Sequence, residues 1–342
     1  THAVHNNEAT FYGRNTVFSN IGFDTFCSME YMNGLTDSPN GWSNDDVLSR
    51  EIMKTLDSTS GPDFTMAITV QSHGKYDGIA LDDPTIKVTG APEGKEQAYE
   101  YYVNEIHEVD RMIDTLIKEL SNRKEETVLV LYGDHLPSLD IQKDDLSNAN
   151  LYQTQYVVWD NMNLKKKTKN LHAYQLYAEV LDRIQIHEGM ITKYHQQTKH
   201  RSKLYLTGLT TLSYDLLYGD NYAYDGKNPF KQTELQMGTE PVKLTSVQKT
   251  KSGYRVVGSG FTPYCKVYYD GTLVESEWIS SECLQLQDEF ELDEADKKDS
   301  GEPETEVTEP RDVPNAFVVE VQSDDGVVLS STQAYPASQV KK

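Results

Sequence analysis

The residues best equipped for chemistry sit at the end of one apolar run, Thr127-Val-Leu-Val-Leu-Tyr-Gly-Asp-His135. Asp134 offers a hard carboxylate oxygen and His135 a borderline imidazole nitrogen, a pair that suits zinc or manganese and is unlike a calcium loop. Two ligands do not make a site, and a solvated Asp-His at a loop start is the plain alternative. Further candidates lie upstream: His5 after a short strand-like run, Arg14 two residues beyond Tyr12, and His73 after a second apolar run over 64–70. Arg14 with His5 could hold an anion through the planar guanidinium fork. Taken singly, a His after a strand is more often structural, and an Arg in a first helical turn is more often a surface charge. His187, His195 and His200 are weaker candidates for a second metal, because their surroundings are polar and rich in lysine.

These side chains need elements to place them. The continuous apolar run 128–131 predicts a strand covered on both faces of a parallel sheet, and such sheets carry their chemistry at the carboxyl ends of strands. Gly133 would permit the sharp turn that lets Asp134 and His135 converge. The run 64–70 predicts another buried strand, with His73 at the same edge. Between them, Tyr102, Ile106, Val109, Ile113, Ile117 and Leu120 recur at spacings of 4, 3, 4, 4 and 3, which predicts an amphipathic helix over 94–120. The helix and its flanking strands would form a right-handed β-α-β unit, with Glu105 and Asp110 on its exposed face. Helices are also expected over 11–21, from 43 or 44 to about 56 with Ser43 or Asn44 as N-cap, and over 172–184. A strand is expected over 156–160, a polar lid-like loop over 136–150, and an aromatic, glycine-rich closure over 214–230.

A boundary is expected near Gly238, giving 1–237 and 238–342. Beyond it, short alternating runs at 243–248, 253–259, 265–269 and 316–322, with Asp270-Gly271 as a hairpin turn, predict a small β-sandwich. Between its strands, residues 287–314 hold twelve acids against three bases, a composition expected to form a disordered insertion. The whole chain has 32 Lys plus Arg against 54 Asp plus Glu, a net charge of −22 that would repel a nucleic-acid backbone. Cys27, Cys265 and Cys283 lack C-x-x-C spacing; Cys265 and Cys283 could pair in an oxidising compartment, with two free thiols as the alternative. No stretch reaches the roughly 20 apolar residues of a membrane helix.

Tyr-Gly-Asp-His at the end of an apolar strand, behind an amphipathic helix and a Ser-His loop, resembles the sulfatase domain of the lipoteichoic acid synthase family, within the alkaline phosphatase superfamily. The series His5-Asn6-Asn7, Phe11-Tyr12, Arg14 and Gly22-Phe23-Asp24 is similar to that family's substrate-pocket segment. Gly41-Trp42-Ser43-Asn44-Asp45 resembles its Trp-Gly-x-x-Asp element, with Ser43 where Gly is usual. Gly258-Ser-Gly-Phe-Thr-Pro263 resembles immunoglobulin-like IPT/TIG modules over a short stretch.

The resemblance implies an α/β fold, an alkaline phosphatase/sulfatase-like mixed sheet flanked by helices, plus a small C-terminal β-sandwich. It implies Asp134 and His135 as metal ligands, for Mn2+ with Zn2+ or Mg2+ as alternatives, and His5, Tyr12, Arg14 and His73 as substrate-binding residues. The implied reaction moves phosphoglycerol from a phosphatidylglycerol-like lipid to a glycerol-phosphate polymer, through a phosphorylated Thr nucleophile. In the family that Thr and a further acidic ligand precede the segment matching His5. The chain is therefore expected to be the extracellular part of a longer protein anchored by N-terminal membrane helices, with no nucleophile of its own and no activity alone. A sulfatase, a phosphoethanolamine transferase and a non-catalytic surface-binding protein are the alternatives.

Overall fold

The computed structural model of the chain describes residues 1–287, 290–292 and 309–341. The first elements are β1 (His2–His5), α1 (Arg14–Ile21), β2 (Thr25–Cys27), α2 (Val47–Asp57) and β3 (Thr65–Ile68). Then come α3 (Glu96–Asn122), β4 (Val128–Tyr132), β5 (Tyr156–Asp160), α4 (Ala173–Arg183), α5 (Met190–Gln197) and α6 (Tyr205–Leu217). After β6 (Gln236–Met237) the chain is all strand: β7 (Lys243–Thr250), β8 (Gly253–Ser259), β9 (Cys265–Tyr269), β10 (Thr272–Val274) and β11 (Ser276–Ser280). It ends with β12 (Cys283–Leu286), β13 (Ala316–Gln322), β14 (Val328–Ser331) and β15 (Tyr335–Pro336). Two compact units result: Thr1–Ile117 with Pro137–Leu139 and Gln232–Lys342, and Lys118–Leu136 with Asp140–Lys231.

In the first unit, β3, β1, β2 and β6 pair side by side in that order, all parallel. All four residues of β1 are buried, as expected of a strand with neighbours on both sides. One face packs on Phe18 of α1, whose ring meets Phe23 and Phe26 edge-on at 5.0 and 4.8 Å, with Ala3, Ala9 and Met237 alongside. Helix α1 stops at Gly22, where φ is +93° and the amide donates to the Phe18 and Ser19 carbonyls. Helix α2 buries Val47, Leu48, Ile52 and Thr55.

The sandwich belongs to the same unit. One sheet runs β10-β9-β13-β14 with β15 also on β13, the other β11-β12-β8-β7. Alternate residues Phe317, Val319 and Val321 of β13 meet Val247, Val256, Leu284 and Leu286 in a common core. The Asp270-Gly271 hairpin forms as expected, both residues having positive φ (47° and 73°), the conformation that a two-residue hairpin loop demands. Phe290 and Leu292 also join this core, so the acidic stretch is anchored at its start; residues 288–289 and 293–308 lie outside the described residues. Cys27, Cys265 and Cys283 are free thiols.

The second unit holds β4 and β5, paired antiparallel from Val128↔Asp160 to Tyr132↔Tyr156, and helices α4 to α6. Asn161 closes the pair by accepting the Thr127 amide proton at 2.8 Å. Among the described residues no helix is long and apolar enough to cross a membrane.

The α/β class with its small sandwich is as expected, but several local expectations are corrected. Strand β4 pairs only with β5 and is half-buried, with Tyr132 57% exposed, because an apolar run specifies burial without specifying a partner. Strands β3 and β4, either side of α3, lie in different sheets and form no β-α-β unit. Phe64 stays 45% exposed and β3 is only half-buried. Helix α3 exists, but its buried face runs through Ala98, Tyr101, Glu105, Met112 and Leu116, leaving Ile106 40% exposed. Glu105 is thus buried, not solvated. Residues 11–13 form a separate 3-10 turn ahead of α1, and α2 begins at Asp46 with no side-chain cap from Ser43 or Asn44. Helices α5 and α6 were not legible, and Tyr174 and Tyr177 of α4 are 44% and 55% exposed.

Candidate active site

His5 ends the central strand β1 and is 1% exposed. Its Nδ1 lies 2.8 Å from the Ile68 carbonyl, an acceptor, so Nδ1 carries the proton. Burial and the nearby positive charge of Arg14 hold its pKa down at about 4, and the ring is neutral at pH 7. Its Nε2 therefore presents a lone pair, and that buried atom has no partner in the protein. Arg14 opens α1 just after Gly13, whose φ is +64°. Its guanidinium stands over the rings of Phe11 and Tyr12 at 5.2 and 5.7 Å, and Nη1 is buried without an acceptor. Burial lowers its pKa from the usual value, the mark of a cation lacking a counter-ion. Tyr12, at 80% exposed, holds a positive φ of 54°, an unusual conformation for a bulky residue.

Arg14 is linked to His73 through aromatic rings: Phe11 meets Trp42 at 6.3 Å and Trp42 meets His73 edge-on at 5.1 Å. Asn40 Nδ2 donates to the His73 carbonyl at 3.1 Å, and Trp42 Nε1 donates to the Gly74 carbonyl at the same distance. His73 Nδ1 donates to that carbonyl at 2.8 Å, so Nε2 faces outward from an exposed ring. His5, Tyr12, Arg14 and His73 thus share one unit, in which Tyr12, Arg14 and His73 are joined through the rings of Phe11 and Trp42.

Asp45 is the residue whose importance the sequence hid. It is fully buried, and Oδ1 accepts from Val70 N–H at 2.9 Å and from Asn6 Nδ2 at 2.8 Å, while Oδ2 accepts from Gln71 N–H at 3.2 Å. The Asp45 amide in turn donates to Gln71 Oε1 at 2.8 Å. One carboxylate therefore clips the residue after His5 to the two residues that lead into His73. Burial outweighs these donors and pushes its pKa up to about 6. Glu105 of α3, near Gln71 and Tyr101, is raised too, by burial first. The Trp-Ser-Asn-Asp-Asp string reads equally well as a capping sequence, so only its tertiary partners reveal this role.

Asp134 and His135 lie in the second unit, both well exposed at 80% and 64%. Asp134 Oδ2 and His135 Nε2 are 3.6 Å apart, and the His135 amide donates to Asp134 Oδ1 at 2.8 Å. His135 Nδ1 donates to the Leu136 carbonyl at 2.8 Å, which leaves Nε2 free with its lone pair, the tautomer that metal ligation requires. The pair fits two positions on one divalent ion, given metal–ligand bonds of about 2.0–2.2 Å. Among the described residues no group of three or more His, Cys, Asp or Glu is placed to hold a metal. Gly133 does not use a positive φ; a Cβ there would meet Thr154 at an ordinary 3.6 Å, so the expected glycine-dependent turn is absent.

Residues 1–186 match the Sulfatase family model. The chain belongs to the sulfatase family, as a lipoteichoic acid synthase-like member of the alkaline phosphatase superfamily. A Rhizobium meliloti (strain 1021) protein named for cyclic beta-1,2-glucan modification is 31% identical over 183 residues, 48% of this chain and 28% of the relative. Lipoteichoic acid synthase 2 of Bacillus subtilis (strain 168) is 23% identical over 180 residues, 51% of this chain and 27% of the relative. Among solved structures, the Streptococcus pyogenes phosphoglycerol transferase GacH in complex with sn-glycerol-1-phosphate shares the fold with a TM-score of 0.52 and 20% identity. That match covers 68% of this chain and 64% of the other. The chain spans little more than a quarter of the length of these curated relatives.

Proposed function

We propose that the chain is the substrate-pocket portion of a metal-dependent phosphoglycerol transferase of the lipoteichoic acid synthase type, acting on phospholipid headgroups at the outer face of the cell membrane. The observation that carries this reading is the pairing of two buried, unpartnered polar atoms, Arg14 Nη1 and His5 Nε2. Arg14 offers a donor to an oxyanion. Neutral His5 offers an acceptor, which suits a hydroxyl of the transferred glycerol better than a phosphate oxygen. Tyr12 and Phe11 wall the guanidinium, and His73 stands ready at the same rim to contact the phosphate. Asp45 holds His5 and His73 in register.

Asp134 and His135 would hold the divalent ion, manganese by resemblance with zinc or magnesium as alternatives. Bound there, the ion would supply Lewis-acid shielding of the attacked phosphorus and favour an ionised nucleophile. The nucleophile, a Thr by resemblance, is assigned outside residues 1–342, with membrane helices anchoring the protein and this part extracellular. Residues 1–237 serve as the catalytic portion and 238–342 as an accessory IPT/TIG-like sandwich.

One finding favours a second reading of the acceptor. The relative named for glucan modification is more similar than the lipoteichoic acid synthase, 31% against 23%, which points to a carbohydrate acceptor in place of a glycerol-phosphate polymer. The test uses the protein that carries residues 1–342 together with the nucleophile, with labelled phosphatidylglycerol and manganese, and follows label into glycan or glycerol-phosphate polymer. Arg14→Ala should cut transfer roughly 10²-fold while metal content is unchanged. Unchanged transfer in that variant, or hydrolysis of sulfate esters in preference to phosphatidylglycerol, would overturn the assignment.

A further inference from the structure

We propose that the cavity of about 430 Å³ bounded by α4, the end of α5 and the turn that follows it is a second oxyanion site, built to hold a phosphate group. The cavity lies wholly within the second unit, and the inference does not depend on which ester the candidate active site handles. Among the donor side chains that line it are Lys199, Arg201, Thr198 and His195. Among the described residues Lys199 and Arg201 have no carboxylate within ion-pair distance, unusual in a chain of net charge −22. Of the two acids at the cavity, Glu179 is already paired with cations. Glu179 is neutralised by Lys169 and by Arg183, which reaches it at 3.4 Å, and Asp182 faces His187 at 3.9 Å.

His195 makes this a built site and not a loose cluster of lysines. Its side chain is 4% exposed, and the proposed site takes the Tyr205 hydroxyl as donor to its Nδ1. Gln175 Nε2 donates to the Tyr205 hydroxyl at 3.0 Å, and the hydroxyl proton is directed at His195 Nδ1, 2.5 Å away. Nδ1 is then the acceptor and the ring proton sits on Nε2, for which the described residues supply no hydrogen-bond partner. Burial keeps this ring neutral by lowering its pKa. His200 Nε2 donates to the His195 carbonyl at 2.8 Å, so that last-turn acceptor is not left to repel an anion. Neutral N–H, hydroxyl, ammonium and guanidinium donors around one cavity match the oxygens of a phosphate.

The test titrates the full chain with inorganic phosphate, with glycerol phosphate and with glycerol, following heat and the imidazole nitrogen resonances of His195. Phosphate and glycerol phosphate should both bind and shift His195, whose spectrum should show the Nε2-protonated tautomer; glycerol should do neither. Equal affinities would identify the phosphate group alone as the ligand, and tighter glycerol phosphate would extend the site to its ester. Lys199→Ala with Arg201→Ala, both at exposed positions, should weaken the response at His195 by about tenfold or more, whereas Arg14→Ala should leave it unchanged. Still His195 resonances, an affinity within twofold in the double variant, or binding abolished by Arg14→Ala alone would each overturn the proposal, the last by placing the anion in the first unit.

Discussion

Replacing Asp45 by alanine should destabilise the chain by an amount that shrinks as pH rises, the reverse of what an ordinary salt-bridged carboxylate would give. The substitution leaves the buried Val70 and Gln71 amides without acceptors, at roughly 1–3 kcal/mol each, so about 2–6 kcal/mol in all. Against this stands the cost of keeping the carboxyl ionised where it is buried. Its folded pKa of about 6 lies above the unfolded value near 3.8, so between these values the unfolded chain releases a proton that the folded chain retains. Asp45's contribution is therefore full below about pH 4 and falls until about pH 6, by ~3 kcal/mol for a shift of about two units. The alanine variant has no such group. Urea unfolding of both chains from pH 4 to 7.5 should show the difference between them largest at the acid end and smaller by ~3 kcal/mol at neutrality. A difference that is flat, or that grows with pH, would refute the placement of Asp45 as a buried, backbone-bound carboxyl.

His5 should impose the opposite slope. Its folded pKa, about 4, lies below the unfolded value of 6.5, so its contribution is intact above pH 6.5 and is lost as pH falls towards 4; His5→Gln should remove that acid-side loss in the same titration. Asp134→Asn or His135→Ala should sharply lower manganese content, measured by atomic absorption on the protein carrying the nucleophile, and unaltered occupancy in both would end the ligand assignment. Gly258→Ala should strongly destabilise the sandwich, because a Cβ there would sit 1.9 Å from the Lys243 carbonyl oxygen, inside any allowed contact; an unchanged melting temperature would contradict the β7–β8 register. Arg311→Ala should cost roughly 3 kcal/mol by leaving the Glu320 carboxylate, 3% exposed, without its bidentate partner, and calorimetry would show it.

What could be read from the sequence, and what could not, divides along the range of the forces involved. The Arg14 segment and the Asp270-Gly271 hairpin were legible because their chemistry is local: a stacked guanidinium, a turn that needs positive φ. The partner of β4 was not, since Val128 to Leu131 carry the same apolar signal whether they lie inside a parallel sheet or against β5. Glu105 was misplaced for a related reason. A reading that seeks an apolar stripe assigns every acid to water, yet this one lies among Gln71 and Tyr101, partners that arrive from 34 and 4 residues away. Asp45 joins both failures. Four polar residues in a row ahead of a helix satisfy a capping rule at any of several positions, and the donors that select Asp45 belong to a strand end 25 residues later. The histidines at the candidate site could thus be named from sequence, but the buried carboxylates that fix their positions could not. The pH dependence of stability should accordingly follow Asp45 and His5, whereas the proposed transfer would depend on Arg14 and His73 as well as His5.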